Sequence, residues 1–274
     1  MSETILLTSE MCPQTDADIR LMKGIPYRQL LGCLLWLSMG TRPDIAYAVS
    51  FLAKFCSNPG MCHWNALIKV CRYLSATPDY SLRYYHNGSD INTHGNTSTF
   101  TSADSTSLGN LTPKIYSDFD HARDKETRRS VTGFVFFMAG GPVSWQSKQQ
   151  TSVALSSMEA EYMALCATAQ EAVWLVSLLT DIGYTQATPA LIYEDNQSAI
   201  AYSKNNTDHK RTKHIDTKYH FVRERINDGL IALEYIGTLL NVADIFTKPL
   251  PAESHWNHTV SLMVPLPSLS QLTI

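Results

Sequence analysis

The chain has 274 residues, is 44% hydrophobic and only 17% charged, and carries a formal net charge of −3. That length accommodates one large domain or two modest ones and buries a full core without disulfide or metal staples, which excludes a stapled mini-domain and a wholly disordered chain. The unbroken apolar runs fall short of the ~18–20 residues of a bilayer span, the first twenty residues lack the basic flank and apolar core of a signal peptide, and no membrane partner is expected.

Tyr27, Leu30, Leu31, Leu34 and Leu35 recur at three- and four-residue steps, the period of one helix face, and Gly40 closes the run. Thr41 and Pro43 mark the start of a second helix with the apolar stripe Ile45, Ala48, Val49, Leu52, Ala53 and Cys56. The turn Asn58-Pro59-Gly60 precedes a third, carried by Trp64, Leu67, Ile68, Cys71 and Leu74, and a short β-like run covers 81–85. Residues 86–113 are mostly Ser, Thr, Asn, Gly and Asp, with too little apolar surface to offset the entropy of ordering, and read as a flexible linker. Three strands follow at 114–118, 131–138 and 142–147, then a long helix over 156–182, a fourth strand at 190–194 and a short helix from Asn196. A helix over 212–227 ends at Asp228-Gly229, a fifth strand covers 230–236, and a last short helix covers 242–247. Consecutive strands followed by strands separated by helices imply an α/β fold, a mixed five-stranded sheet with flanking helices. The expected division is a helical segment over 1–85, the linker over 86–113, the α/β domain over 114–250 and a tail over 251–274.

The six cysteines form no CxxC pair, which points to a reducing compartment and no structural zinc. Cys33, Cys56, Cys71 and Cys166 fall at apolar helical positions and read as small core residues, and Trp145 and Trp174 likewise read as core.

Four acidic residues stand at element ends in the α/β domain: Asp118 closing its first strand, Glu159 in the first turn of the long helix, Asp195 closing the fourth strand, and Asp244 in the first turn of the last helix. Each has an ordinary use there, as helix cap, turn residue or complement to a helix dipole. Together they repel one another unless cations neutralise them, and such hard oxygen donors suit Mg²⁺ or Mn²⁺. A pair of ions ~3.5–4 Å apart can activate water and stabilise the leaving oxygen in phosphodiester cleavage. Glu161 lies ~200° around the helix from Glu159 and is expected to point elsewhere.

A collinear series of motifs surrounds these acids. Tyr116-Ser-Asp-Phe-Asp120, Arg128-Arg-Ser-Val-Thr-Gly133, Ser144-Trp-Gln-Ser-Lys148, Ser156-Ser-Met-Glu-Ala-Glu-Tyr162 and Glu194-Asp-Asn-Gln-Ser-Ala199 are followed by Arg211-Thr-Lys-His-Ile-Asp216, Tyr219-His-Phe-Val-Arg-Glu224 and Ala243-Asp-Ile-Phe-Thr-Lys-Pro-Leu250. The series resembles the ribonuclease H domain of copia-type LTR retrotransposon Pol polyproteins. Thr41-Arg-Pro-Asp-Ile-Ala-Tyr47, Ser57-Asn-Pro-Gly60, His63-Trp64 and Arg72-Tyr-Leu74 resemble the thumb or connection segment that precedes it. The resemblance implies an RNase H-like fold that hydrolyses the RNA strand of an RNA–DNA hybrid with two Mg²⁺, Mn²⁺ being an alternative, and leaves a 3′-hydroxyl and a 5′-phosphate. Asp118, Glu159, Asp195 and Asp244 take the metal-binding, catalytic positions. Lys210, Arg211, Lys213 and Arg223, in a basic stretch, are candidates to track hybrid phosphates. His214 and His220, six residues apart, do not share a helix face and are expected to hold no common metal.

Phe119, Asp120 and His121 depart from the family's pattern after Asp118, and Thr238-Leu-Leu-Asn-Val242 replaces its usual polar loop. The Tyr-x-Asp-Asp polymerase signature is absent from the sequence, so the expected context is a C-terminal piece of Pol, partnered by an upstream polymerase core and located inside cells, in cytoplasmic particles or the nucleus. The alternative is a catalytically silent remnant or a co-opted module that binds nucleic acid or protein through the same fold.

Overall fold

The protein, as a computed structural model, is described over residues 7–84, 112–120, 126–154, 156–186, 188–204 and 213–265, with the side chains of 204, 213–217 and 219 left aside. Nearly all of the expected linker, together with Lys210 and Arg211, lies outside the described residues, as does the side chain of Lys213. Along the chain run helices α1 (Asp16–Met22), α2 (Tyr27–Gly40), α3 (Ala46–Ala53) and α4 (Met61–Ala76) and the two-residue strand β1 (Tyr80–Ser81). Strands β2 (Lys114–Asp120), β3 (Val131–Met138) and β4 (Gly141–Gln149) precede helix α5 (Ser157–Asp181) and strand β5 (Ala190–Glu194). Helices α6 (Gln197–Lys204) and α7 (Lys213–Asn227), strand β6 (Ile231–Tyr235), a 3₁₀ turn over Val242–Phe246, helix α8 (Ala252–Leu262) and strand β7 (Val264–Pro265) complete the order. These elements form two compact units, Met1–Arg83 together with Pro249–Ile274, and Tyr84–Lys248.

In the first unit the stripes read from sequence converge: Leu31 and Leu34 of α2, Val49 and Leu52 of α3, and Leu67 and Val70 of α4 are buried together with Tyr27, Ile45 and Phe55. Beside this apolar core lies a buried ion pair. Arg42 donates to Asp44 through Nε (3.0 Å) and Nη2 (2.8 Å), and also to the carbonyl (2.9 Å) and hydroxyl (2.7 Å) of Thr77. The Tyr73 hydroxyl donates to Asp44 Oδ2 at 2.7 Å. The stretch named above as a tail is, in its described part, structured: α8 belongs to this unit, and β7 pairs antiparallel with β1. Leu262 and Met263 are buried, so apolar burial holds a segment whose weak amphipathic pattern gave little signal. Cys33 is exposed and Cys56 and Cys71 are half-buried; of the four cysteines expected in the core only Cys166 is buried.

The second unit is a five-stranded sheet in the order β4-β3-β2-β5-β6, with β2, β3 and β4 antiparallel and β5 parallel to both β2 and β6. It is the mixed five-stranded sheet with flanking helices expected from the sequence. Its core joins Ile115 of β2, Phe134 and Phe136 of β3, Ile192 of β5 and Leu233 of β6 to Tyr162, Leu165 and Ala169 of α5. By length and composition alone α5 could cross a membrane, but half of its most apolar window is buried within the protein, which is how the central helix of an α/β core is built. Trp174, expected in the core, is instead 55% exposed, because it falls on the outer side of α5.

The Arg42–Asp44 pair makes a prediction. Asp44→Ala leaves the Arg42 guanidinium and the Tyr73 hydroxyl buried without their acceptor and should destabilise the protein by ~3–5 kcal/mol, whereas an Arg42→Met, Asp44→Leu double replacement should cost less than either single change. Urea unfolding of the three variants checks this; a double variant weaker than both singles would contradict it.

Candidate metal centre

Strand alternation sets the geometry of the acidic site. Ser117 Oγ lies 3.0 Å from Thr168 Oγ1 of α5, so Asp118, the next residue, projects from the opposite face of the sheet. The 3₁₀ turn lies on that face. The Thr247 hydroxyl donates to Asp118 Oδ2, and the Asn241 amide donates to the Ser117 carbonyl at 2.8 Å while its oxygen accepts from the backbone of Ala243 at 3.1 Å. The turn can lie close because the residue paired with Asp118 on β3 is Gly133. A Cβ at Gly133 would stand 2.5 Å from Thr247 Cγ2 and 2.8 Å from Phe246 Cβ, distances no real contact tolerates. Asp244, in the turn's first residues, is thereby brought to Asp118.

On β5 the same alternation sets where Glu194 points. Ile192 belongs to the core beneath α5, and Glu194, two residues on, is buried on that side. Tyr193 stacks on Tyr116 across the other face, and Asp195 follows at the strand end. Carboxylate oxygens of Asp118, Asp195 and Asp244 come within 4.8 Å of one another, and so do those of Glu161, Glu194 and Asp195. Asp195 belongs to both groups.

Three of the four acids expected from sequence are therefore together, and the fourth is replaced. Glu159 joins neither group among the described residues; its backbone N–H is capped by Ser156 Oγ at 3.1 Å. Glu161 takes the place expected of it. The two lie ~200° apart on α5, only one can face the strand ends, and the helix is turned to present Glu161. The element-end reading passes over Glu194; an acid closing the otherwise apolar run Ala190-Leu-Ile-Tyr193 is the signal the sequence offers. Of the basic candidates with described side chains, Arg223 lies 5.5 Å over the Tyr202 ring and reaches the Tyr202 carbonyl at 3.4 Å, an intramolecular engagement rather than a free cation.

Asp118, Glu161 and Glu194 hold their protons more tightly than ordinary acids. Burial raises Asp118 well above the usual carboxylate range, with Asp244 and Asp195 adding repulsion and Lys248 opposing it. Glu161 is pushed to about 8 by burial and by Asp195. Glu194 is raised by burial and by Glu161, Asp118 and Asp195. Burial works against the Lys248 ammonium, but Asp118 and Asp244 outweigh it and raise its pKa. All five donors are hard oxygens, and the buried Oε1 of Glu161 makes no hydrogen bond to the described residues. That set fits Mg²⁺ or Mn²⁺ and offers nothing to a thiophilic metal.

No family model matches the chain. It is 40% identical over 245 residues to the Retrovirus-related Pol polyprotein from transposon TNT 1-94 of Nicotiana tabacum, covering 89% of this chain and 17% of that one. It is 45% identical over 156 residues to Secreted RxLR effector protein 161 of Plasmopara viticola, covering 56% of this chain and 94% of that one. The chain spans less than a fifth of the length of the Pol polyproteins it matches. Among solved structures, the N-terminal RNase H domain of rv2228c from Mycobacterium tuberculosis aligns with a TM-score of 0.38 at 16% identity, over 54% of this chain and 96% of that one.

Two outcomes follow from this geometry. Gly133→Ala should displace the 3₁₀ turn, lower stability by ~1–3 kcal/mol and weaken Mg²⁺ binding together with it, which thermal melts with and without Mg²⁺ measure. For the metal-free protein, raised carboxyl pKa values mean stability that is full below about pH 4 and lost as pH climbs through about 8, where Glu161 ionises. Cation binding needs the ionised acids. The gain in melting temperature on adding Mg²⁺ should therefore increase from pH 6 to pH 9, and a gain that is flat or falls with pH contradicts this assignment.

Proposed function

We infer from its similarity to Pol polyproteins over most of its own length that the chain belongs with those of copia-type retrotransposons, and we propose that its second unit is a ribonuclease H, hydrolysing the RNA strand of RNA–DNA hybrids with two divalent cations. The observation that carries the reading is the double carboxylate group sharing Asp195, a donor set that would hold two divalent ions side by side, as phosphodiester hydrolysis of this kind uses. Mg²⁺ is the expected cofactor, with Mn²⁺ as a substitute. When bound, the ions supply Lewis-acid stabilisation to the attacking and leaving oxygens.

The residues of the chain do the rest. Asp118 and Asp244 converge from strand and turn on one position, Glu161 and Glu194 from helix and strand on the other, and Asp195 ties the two together. Thr247 and Asn241 fix the turn, so the carboxylates are placed before substrate arrives. Binding of the hybrid by shape and phosphate, with no base readout, suits such a site. Lys213, and Lys210 and Arg211 beyond the described residues, remain the proposed phosphate contacts. Within this reading the upstream polymerase core of Pol is a partner, and the location is intracellular, in cytoplasmic particles or the nucleus. Asp120 and Phe119, at the end of β2 beside Asp118, are where this chain's site departs from the family's sequence pattern.

A second reading is a co-opted module that keeps the fold without the chemistry. It is favoured by the match covering nearly all of a relative named as a secreted effector. A fluorogenic RNA–DNA hybrid assay with Mg²⁺ separates the two. The enzyme reading expects Asp118→Asn and Glu161→Gln to lower the rate by more than the ~10–100-fold that changes in outer-sphere partners cost, and Glu159→Gln to stay within about threefold of the unmodified chain. Cleavage by the unmodified chain no faster than by Asp118→Asn leaves the co-opted module as the answer. Equal losses in Glu159→Gln and Glu161→Gln would reject the assignment of the fourth ligand.

A further inference from the structure

The acidic site already contains a cation. Lys248 Nζ lies 2.8 Å from Asp244 Oδ1 and 3.8 Å from Asp118 Oδ2, between the two acids that, with Asp195, make up one of the two carboxylate groups. The other group has no equivalent: among the described residues neither Glu161 nor Glu194 forms an ion pair. The two halves of the site are therefore unlike in the metal-free protein, one neutralised from within and one not.

We propose that Lys248 is a resident counter-cation that competes with one divalent ion, so that loading the Asp118–Asp244 position and releasing the Lys248 ammonium are a single exchange. This rests on the metal-centre reading above. Three features fit Lys248 for the role. Its backbone N–H bonds to the Asp244 carbonyl at 3.3 Å, which keeps the side chain on the same turn as its acidic partner and within reach of it. Its side chain is 24% exposed, against 4% for Asp118 and 8% for Asp244, so the ammonium has a way to water that the carboxylates lack. An ammonium is a compact point charge on a flexible stem, able to leave without unpicking a fixed hydrogen-bond fork. The exchange keeps a buried like-charged group neutralised when no metal is present, and it makes the Asp118–Asp244 position the weaker of the two.

Calorimetric titration of the full chain with Mg²⁺ tests this, using Lys248→Met, Lys248→Gln and, as a site control, Asp118→Asn. Removing one unit charge a few ångströms from the ion should tighten the weaker binding step by about tenfold and lower the melting temperature of the metal-free protein. In the unaltered chain, acylation of Lys248 by an amine-reactive ester, read by peptide mass spectrometry, should rise several-fold at saturating Mg²⁺; this arm needs no variant to fold. Unchanged or weaker Mg²⁺ binding in the Lys248 variants, or labelling that stays level or falls with Mg²⁺, overturns the exchange while leaving the metal centre intact. Absence of Mg²⁺ binding in the unaltered chain and every variant overturns both.

Discussion

Mutual repulsion among buried carboxylates is the constraint from which the second unit's other details follow. Asp118, Glu161, Glu194, Asp195 and Asp244 crowd the strand ends of β2 and β5, and desolvation together with like charge makes their full ionisation unfavourable without cations. A fold that assembles such a group gives up stability in the metal-free state, so the elements holding it must be anchored by other means. The anchors are visible: α5 and the apolar sheet face on one side, and on the other a 3₁₀ turn pinned by Asn241, by Thr247 and by the space Gly133 leaves. Lys248 belongs to the same balance, since among the described residues it is the cation that pairs with Asp118 and Asp244.

The first unit buries an acid too, and the contrast shows why burial alone does not make a site. Asp44 is enclosed, but Arg42 meets both of its oxygens and Tyr73 donates a third hydrogen bond. Its charge is fully answered by side chains that have no reason to leave, and the network holds its helices in place. In the second unit Asn196 donates to Glu161 Oε2, but among the described residues Glu161 Oε1 accepts no hydrogen bond. This unanswered charge is what sets the second unit's acids apart from Asp44 and what supports reading them as a metal centre.

Much of this was legible in the sequence, for identifiable reasons. Helical stripes such as Leu31, Leu34 and Val49, Leu52 and the strand series from Lys114 carry strong periodicity, and each appears within a few residues of where pattern alone puts it. The acidic cluster was readable as a set of element ends, and Asp118, Asp195 and Asp244 do lie together. It failed at Glu159 and Glu161 because both lie in the first turns of the same helix, both are acidic, and sequence does not record how a helix is rotated about its axis. Only packing of Tyr162, Leu165 and Ala169 against the sheet determines that. Lys248 was visible within the motif Ala243-Asp-Ile-Phe-Thr-Lys-Pro-Leu250, but its i,i+4 relation to Asp244 became informative only once Asp244 was known to be buried. The Thr41-Arg-Pro-Asp-Ile-Ala-Tyr47 motif was recognisable without a reason; the Arg42–Asp44 network supplies one.

Strand alternation explains why Asp195 can be shared at all. Within a strand, neighbours such as Glu194 and Asp195 face opposite sides of a sheet and could not serve one centre. At the end of β5 the pleat stops: Glu194 is its last residue and Asp195 already lies outside it. An acid just past the strand is free of the alternation and can turn toward oxygens arriving from either face, Asp118 and Asp244 from one and Glu161 and Glu194 from the other. The two carboxylate groups therefore meet at Asp195, just beyond the end of β5. The net charge of −3 gives no hint of this, because it sums the acids gathered there with the Lys and Arg residues spread through the rest of the chain.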